Sequence, residues 1–212
     1  MISLFLDTSC HMMTIAIYKG KKQLYFYEEE NNNDLSVKLI PKVKEIMEEL
    51  QLYVTDIEKI FVVNGPGSFT GIRIGLAFAK TLAWSLNIPI VPISELEFLA
   101  TTGGTNYIAP MIDARRDAIY AGLYTYDLKP IIEDAYIARK TFLEKIEDYK
   151  ENVTFVSMDT FPSLEVIPPK VDVTKIIEKY IDKSGVDVHT LIPNYLKKTE
   201  AEEKLNGSNI SG

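Results

Sequence analysis

Hydrophobic and polar positions follow one another along this chain in an order that names its elements. Residues 2–6, 12–18 and 24–28 are runs of apolar and β-forming residues, the last two joined through Lys19-Gly20-Lys21-Lys22, and they predict an opening meander. Asn31-Asn32-Asn33-Asp34 is a polar loop able to cap a helix, and Leu35, Leu39, Val43, Ile46, Met47 and Leu50 recur after it at helical spacing. Pro41 interrupts that run, so a kink or a helix start is expected close to it. Residues 60–63 are four consecutive β-formers, then come Asn64-Gly65-Pro66-Gly67-Ser68-Phe69-Thr70-Gly71 and a long apolar run to Leu86. Strand, tight turn and helix make half of an α/β crossover.

That second helix is apolar nearly all round. Ile72, Leu76, Ala79, Leu82, Ala83 and Leu86 form one stripe, Ile74, Phe78 and Trp84 lie off it, and only Arg73 and Lys80 are charged. Such a helix has to be covered on more than one side, by its own domain or by a partner chain. Further on, a strand is expected over 88–93 and a helix from Ser94 with Glu97 three residues later, the pattern of a capping box. Residues 107–112 and 118–124 read as strands around the charged turn Asp113-Ala114-Arg115-Arg116-Asp117. After Ile131 the pattern weakens to a helix over 140–149, a strand over 153–157 and a helix over 173–182 capped by Asp172.

Composition narrows the class. With 212 residues, 46% hydrophobic and 25% charged, the chain can bury a core without staples. Its single cysteine, Cys10, excludes an internal disulfide framework and fits a reducing compartment. No apolar run approaches the roughly 20 residues of a membrane span, and no leader precedes the first strand, so a cytoplasmic protein is expected. The formal charge of −7 argues against a chain that grips nucleic acid alone, so any contact with nucleic acid is expected to be indirect.

The glycine-rich turn invites a phosphate-binding reading, because glycines let backbone approach an anion and helix N-termini offer free N–H groups. Its spacing matches neither a Walker loop, which needs lysine where Ile72 stands, nor a dinucleotide fingerprint, which needs glycine at Thr70. Two readings stay open: a left-handed turn with Ser68 or Thr70 as helix cap, or nucleotide contact through Gly65, Gly67, Ser68, Thr70 and Arg73. Asp7-Thr8-Ser9, delivered by the first strand, is likewise either a turn or a phosphate or metal site. His11 and His189 share no ligand spacing with a carboxylate, and nothing positions a Cys10/His189 pair, so no metal and no catalytic residue is assigned. Arg115 and Arg116 read as a solvated hairpin turn, with Asp113 at a buried strand end the better contact candidate.

The eleven residues from Gly65 to Gly75 (Gly-Pro-Gly-Ser-Phe-Thr-Gly-Ile-Arg-Ile-Gly) resemble the signature of the TsaB (YeaZ) family, the non-catalytic partner of TsaD in making threonylcarbamoyladenosine in tRNA. Leu39-Ile40-Pro41, Asp113-Ala114-Arg115 followed by Tyr120, and Pro193-Asn194-Tyr195-Leu196-Lys197 extend the resemblance, with Lys197 in place of arginine. Leu35-Ser36 stands where the family carries His-Ser, and neither histidine of the metal pair of TsaD is present.

The resemblance implies an α/β chain with the actin-like ATPase (ASKHA, ribonuclease H-like) fold, in two related lobes with mixed sheets flanked by helices. The expected boundaries are an N-terminal lobe over 1–97, a smaller lobe over 98–205 and a disordered tail over 206–212. It further implies a scaffold that dimerises with TsaD and activates it, in a reaction next to the anticodon of tRNAs reading ANN codons. No cofactor is held firmly on this reading; ATP or ADP would sit at the TsaD interface, and the ATPase TsaE would join the assembled pair. Helices 35–50 and 71–86 would dock TsaD, or a second copy in a homodimer, through Leu39, Val43, Ile72, Arg73, Leu76 and Lys80. The competing expectations are a stand-alone ATPase or metallopeptidase-like enzyme of the same fold, and a nucleotide-binding subunit without turnover.

Overall fold

The structure is a computed structural model and describes residues 1–32 and 34–197. β1 (Ile2–Asp7), β2 (Met12–Lys19) and β3 (Lys22–Glu30) form the expected antiparallel meander. β4 (Ile57–Val63) and β5 (Ile90–Ile93) add in parallel on the other side of β1, giving the order β3-β2-β1-β4-β5. α1 (Leu35–Glu49) and α2 (Phe69–Leu86) are the crossovers. Side chains alternate across this sheet. Leu4 and Leu6 pack toward α1 and α2, while Phe5 on the opposite face packs with Phe61, Val63 and Val91.

The second sheet repeats the build. β6 (Tyr107–Asp113), β7 (Ala118–Thr125) and β8 (Pro130–Ala138) are antiparallel, α4 (Arg139–Lys145) comes next, and β9 (Val153–Val156) returns parallel to β6. Its order, β8-β7-β6-β9, matches β3-β2-β1-β4, so three antiparallel strands, a helix and a parallel strand occur twice. α3 (Glu95–Ala100) and α5 (Val173–Tyr180) lie between the sheets, where Leu96, Phe98, Val173, Ile176 and Ile177 meet both of them.

Several local details depart from the sequence expectations. α1 starts six residues before Pro41 and continues through it; Pro41 lies on the exposed side, where the carbonyl left without its N–H partner can reach water. β8 was hidden because it is an edge strand that begins with Pro130 and carries Glu133 and Asp134, a composition edge strands tolerate. The capping box at α3 is half made. Ser94 Oγ accepts from the Leu96 N–H at 3.2 Å and bonds Asp134 of β8, but Glu97 turns away to Lys179 and Tyr180 on α5.

The stretch beginning at residue 98 does not stay with the second sheet. Lys59, buried on β4, donates Nζ to the Ile181 and Lys183 carbonyls at 2.6 and 2.7 Å, closing the C-terminal end of α5. Val186 bridges to Ile90, Lys80 Nζ donates to the Leu191 carbonyl at 2.6 Å, and the Asn194 N–H donates to the Asn64 carbonyl at 2.7 Å. Residues 173–197 thus complete the first lobe. The tail expected over 206–212 lies outside the described residues.

Candidate functional site

The turn after β1 and the start of α2 are pressed together. The Thr8 hydroxyl donates to the Gly71 carbonyl at 2.8 Å, and the Ser68 N–H donates to the Ser9 carbonyl at 2.6 Å. Ser68 is the helix cap, its Oγ accepting from the Gly71 N–H at 3.2 Å. A Cβ on Gly67 would stand 2.2 Å from the Ser9 carbonyl oxygen, and one on Gly75 2.2 Å from Thr8 Oγ1. These glycines therefore admit the chain's own turn, and two of the N–H groups that an anion would use at this helix start are already bonded.

The turn and the start of α2 form one wall of a cleft of about 650 Å³ between the lobes. Ser9, Cys10 and His11 line it from the first turn, Gly67, Ser68 and Phe69 from α2, Glu95 and Leu99 from α3, and Asp113, Arg115 and Tyr120 from the second sheet. His11 Nε2 and Asp159 Oδ1 approach to 3.8 Å across it. Glu95 is buried at its floor, and Asp7 is buried beside it, lining an adjoining cavity of about 250 Å³. Ser9 donates its N–H to Asp7 at 2.7 Å and its hydroxyl to Glu95 at 3.0 Å. Burial pushes Asp7 up to about 6 and Glu95 well above the usual carboxylate range, and the neighbouring carboxylate raises Glu95 further. Burial also raises the Cys10 thiol, which disfavours the reactive thiolate. Burial thus favours the neutral forms of Glu95 and Cys10, while Asp7 keeps its proton only below about pH 6. Among the described residues no group of three His, Cys, Asp or Glu side chains could hold a metal ion.

Of the residues singled out for nucleotide contact, Gly67 and Ser68 line the cleft, whereas Gly65, Thr70 and Arg73 do not. Gly65 is buried against Ile72 and Asn194. Arg73 stacks on the Phe69 ring at 3.9 Å and donates Nε to the Tyr195 hydroxyl at 3.1 Å, so it braces the returning C-terminal segment. Asp113 ends its strand exposed, not buried, and accepts from the Arg115 N–H at 3.0 Å. Glu95 escapes sequence reasoning; its signal is a charged residue directly before Leu96, Phe98 and Leu99, in a segment too apolar for a solvated helix.

The two helices expected to dock a partner lie side by side on the outer face of the first sheet. Leu39, Val43, Ile72 and Leu76 face that sheet and are its core, and Lys80 is engaged by Leu191. The stripe that periodicity finds is the one the domain itself covers. What faces outward is Val37 (68% exposed) and Ile40 (60%) on α1, and Arg73, Ala77, Thr81 and Trp84 (64%) on α2.

Twice-repeated β-β-β-α-β lobes around a central cleft make this an α/β protein of the actin-like ATPase class, with the helix start beside its cleft filled by its own chain. Comparison with known proteins is more specific. A family model described as TsaD, tRNA N6-adenosine threonylcarbamoyltransferase, matches residues 29–203. The tRNA threonylcarbamoyladenosine biosynthesis protein TsaB of Bacillus subtilis (strain 168) is 34% identical, over 96% of this chain and 97% of its own. TsaB of Escherichia coli (strain K12) is 30% identical over 58% of this chain and 55% of its own. Among solved structures, YeaZ from Pseudomonas aeruginosa superposes with a TM-score of 0.71 at 22% identity, covering 92% of this chain and 99% of that one. The chain belongs to the TsaB (YeaZ) family, and it has a part in tRNA threonylcarbamoyladenosine biosynthesis. No helix among the described residues is long and apolar enough to cross a membrane.

Proposed function

We propose that this chain is a non-catalytic scaffold and activator that pairs with TsaD through the outer faces of α1 and α2. The observation that carries this reading is the row of outward side chains on two adjacent helices: Val37 and Ile40 on one, Trp84 at the far end of the other, with the small Ala77 and Thr81 before it. Large exposed apolar residues on neighbouring helices mark an interaction surface, and small residues between them let a second helix pair approach closely. The match of a TsaD family model to residues 29–203 supports a partner of the same build, whose own helices can meet these face to face. Closure of the α2 start by Thr8 and Ser9 supports a subunit that leaves chemistry to its partner. Nucleotide, on this reading, enters only with TsaD, and TsaE joins the assembled pair.

Calorimetric titration of the chain with TsaD of the same organism, with and without ATP, tests this. Saturable one-to-one binding is expected. Absence of binding in both conditions would overturn it and return attention to ATP turnover by the isolated chain.

A further inference from the structure

The turn between β6 and β7 is strained. Arg115, Arg116 and Asp117, three successive non-glycine residues, have φ of +66°, +54° and +59°. Left-handed backbone is unfavourable for residues with a Cβ, so the conformation must be imposed from outside. Arg139, the first residue of α4, does so. It donates Nε and Nη2 to Asp117 Oδ1 at 3.1 and 3.0 Å, its backbone N–H to the Asp117 carbonyl at 2.9 Å, and Nη1 to the Pro162 carbonyl at 3.1 Å. From the other end, the Arg115 N–H is tied to Asp113 and the Ala118 N–H to the Arg115 carbonyl.

The product is a concave pocket of about 430 Å³ walled by Arg115, Arg116 and Arg139, with Asp113 and Asp117 beside them. The chain has four arginines and a formal charge of −7, and three of those arginines meet here. Arg139 is committed to Asp117 and Pro162. The guanidinium groups of Arg115 and Arg116 have no hydrogen-bond or ion-pair partner among the described residues, and neither do the backbone N–H groups of Arg116 and Asp117. Successive N–H groups on a tight turn form an anion-binding concavity. A guanidinium fork beside it matches phosphate oxygens in pairs.

We propose that this turn is a binding site for a phosphate group, held by the Arg115 and Arg116 side chains and the N–H groups of Arg116 and Asp117. A phosphomonoester of a small nucleotide and a phosphodiester of an RNA backbone present the same oxygens to it. The site is on the second lobe, not on the α1–α2 face, and is tested on the chain alone, so it stands or falls independently of TsaD docking.

Two substitutions, Arg115→Gly and Arg116→Gly, made together remove both guanidiniums while suiting the positive φ, so the turn keeps its shape. In one arm, inorganic phosphate and ATP are titrated into the isotope-labelled chain and the Arg116 and Asp117 amide resonances are followed. In the other, unmodified tRNA is titrated by fluorescence anisotropy at several salt concentrations. In at least one arm the wild-type chain is expected to bind, and the double variant about tenfold or more weakly. In the tRNA arm its salt slope should also be shallower by roughly 1–2. Response to phosphate and ATP identifies a small-molecule source, whereas response to tRNA alone identifies the RNA backbone and makes that contact direct. No binding in either arm, or equal binding by the double variant, would overturn the proposal.

Discussion

Thr8 and Gly71 are pressed together: the Thr8 hydroxyl donates to the Gly71 carbonyl, and a Cβ on Gly71 would stand 2.0 Å from the Thr8 backbone carbonyl oxygen. Neither side of that contact is the end of a flexible side chain, so nothing can yield without moving α2 off β1. Gly71→Ala should therefore destabilise the fold by about 3 kcal/mol or prevent folding, at the upper end of ordinary overpacking costs. Gly20→Ala is the control. Its Cβ would meet nothing within 4 Å, and only its φ of +59° makes it costly, by roughly 1–2 kcal/mol. Urea unfolding of the two variants measures the difference, and equal losses would refute the close-contact account.

Asp7 introduces a pH dependence with a definite sign. Burial raises its folded pKa from 3.8 to about 6, so between those values the folded chain keeps a proton that the unfolded chain has lost. The stability tied to this group is complete below about pH 4 and is lost as pH rises through 6. The groups facing Asp7 are Ser9, Glu95 and Glu28, and none is a cation. Asp7→Asn should lack this contribution and keep the one from Glu95, whose carboxyl pKa burial also raises. Relative to it, the wild-type chain should lose stability at up to about 1.4 kcal/mol per pH unit between pH 4 and 6, read from urea midpoints.

Outward and inward residues on α1 and α2 should separate docking from folding. Trp84→Asp and Ile40→Asp are expected to weaken TsaD binding at least about tenfold with thermal unfolding unchanged, since both side chains are mostly in solvent. Leu76→Asp places a charge in the core under α2 and should unfold the lobe. If the exposed variants bind TsaD as the wild type does, the docking face is elsewhere.

Glu97 accepts from Lys179 Nζ at 2.5 Å and from the Tyr180 hydroxyl at 2.9 and 2.8 Å, joining α3 to α5. The Lys179 side chain is about a third exposed, which tempers the loss, and Glu97→Ala should cost about 2 kcal/mol. Hydrogen exchange should accelerate in residues 173–180 before the strands respond. Uniform acceleration across the sheets would show that this contact is not what holds α5.

Much of the architecture was legible because it rests on short-range pattern. The meander, the crossover at 60–86, a cap at Ser68 or Thr70 and the Asp172 cap arise from alternation, periodicity and capping chemistry within a few residues. What periodicity could not supply was the direction of a stripe on a helix apolar on both sides: Leu39 and Leu76 face inward, while Ile40 and Trp84 face outward. β8 was obscured by its proline and acids; the turn at Asp7-Thr8-Ser9 follows from local chemistry, but its junction with Glu95 through Ser9 joins residues far apart in sequence.

The way residues 173–197 close the first lobe bears on how the chain emerges from the ribosome. The second sheet is contiguous, from Tyr107 to Val156, and needs no residue of the last helix to pair its strands. The first sheet is paired by Ile93, yet its inner face waits for Ile176 and Ile177, and Lys59 and Lys80 wait for carbonyls at 181, 183 and 191. Domains usually finish in the order of synthesis. Here the half made first is completed after the second, and its apolar inner face stays open to nascent-chain chaperones until residues 173–197 have emerged.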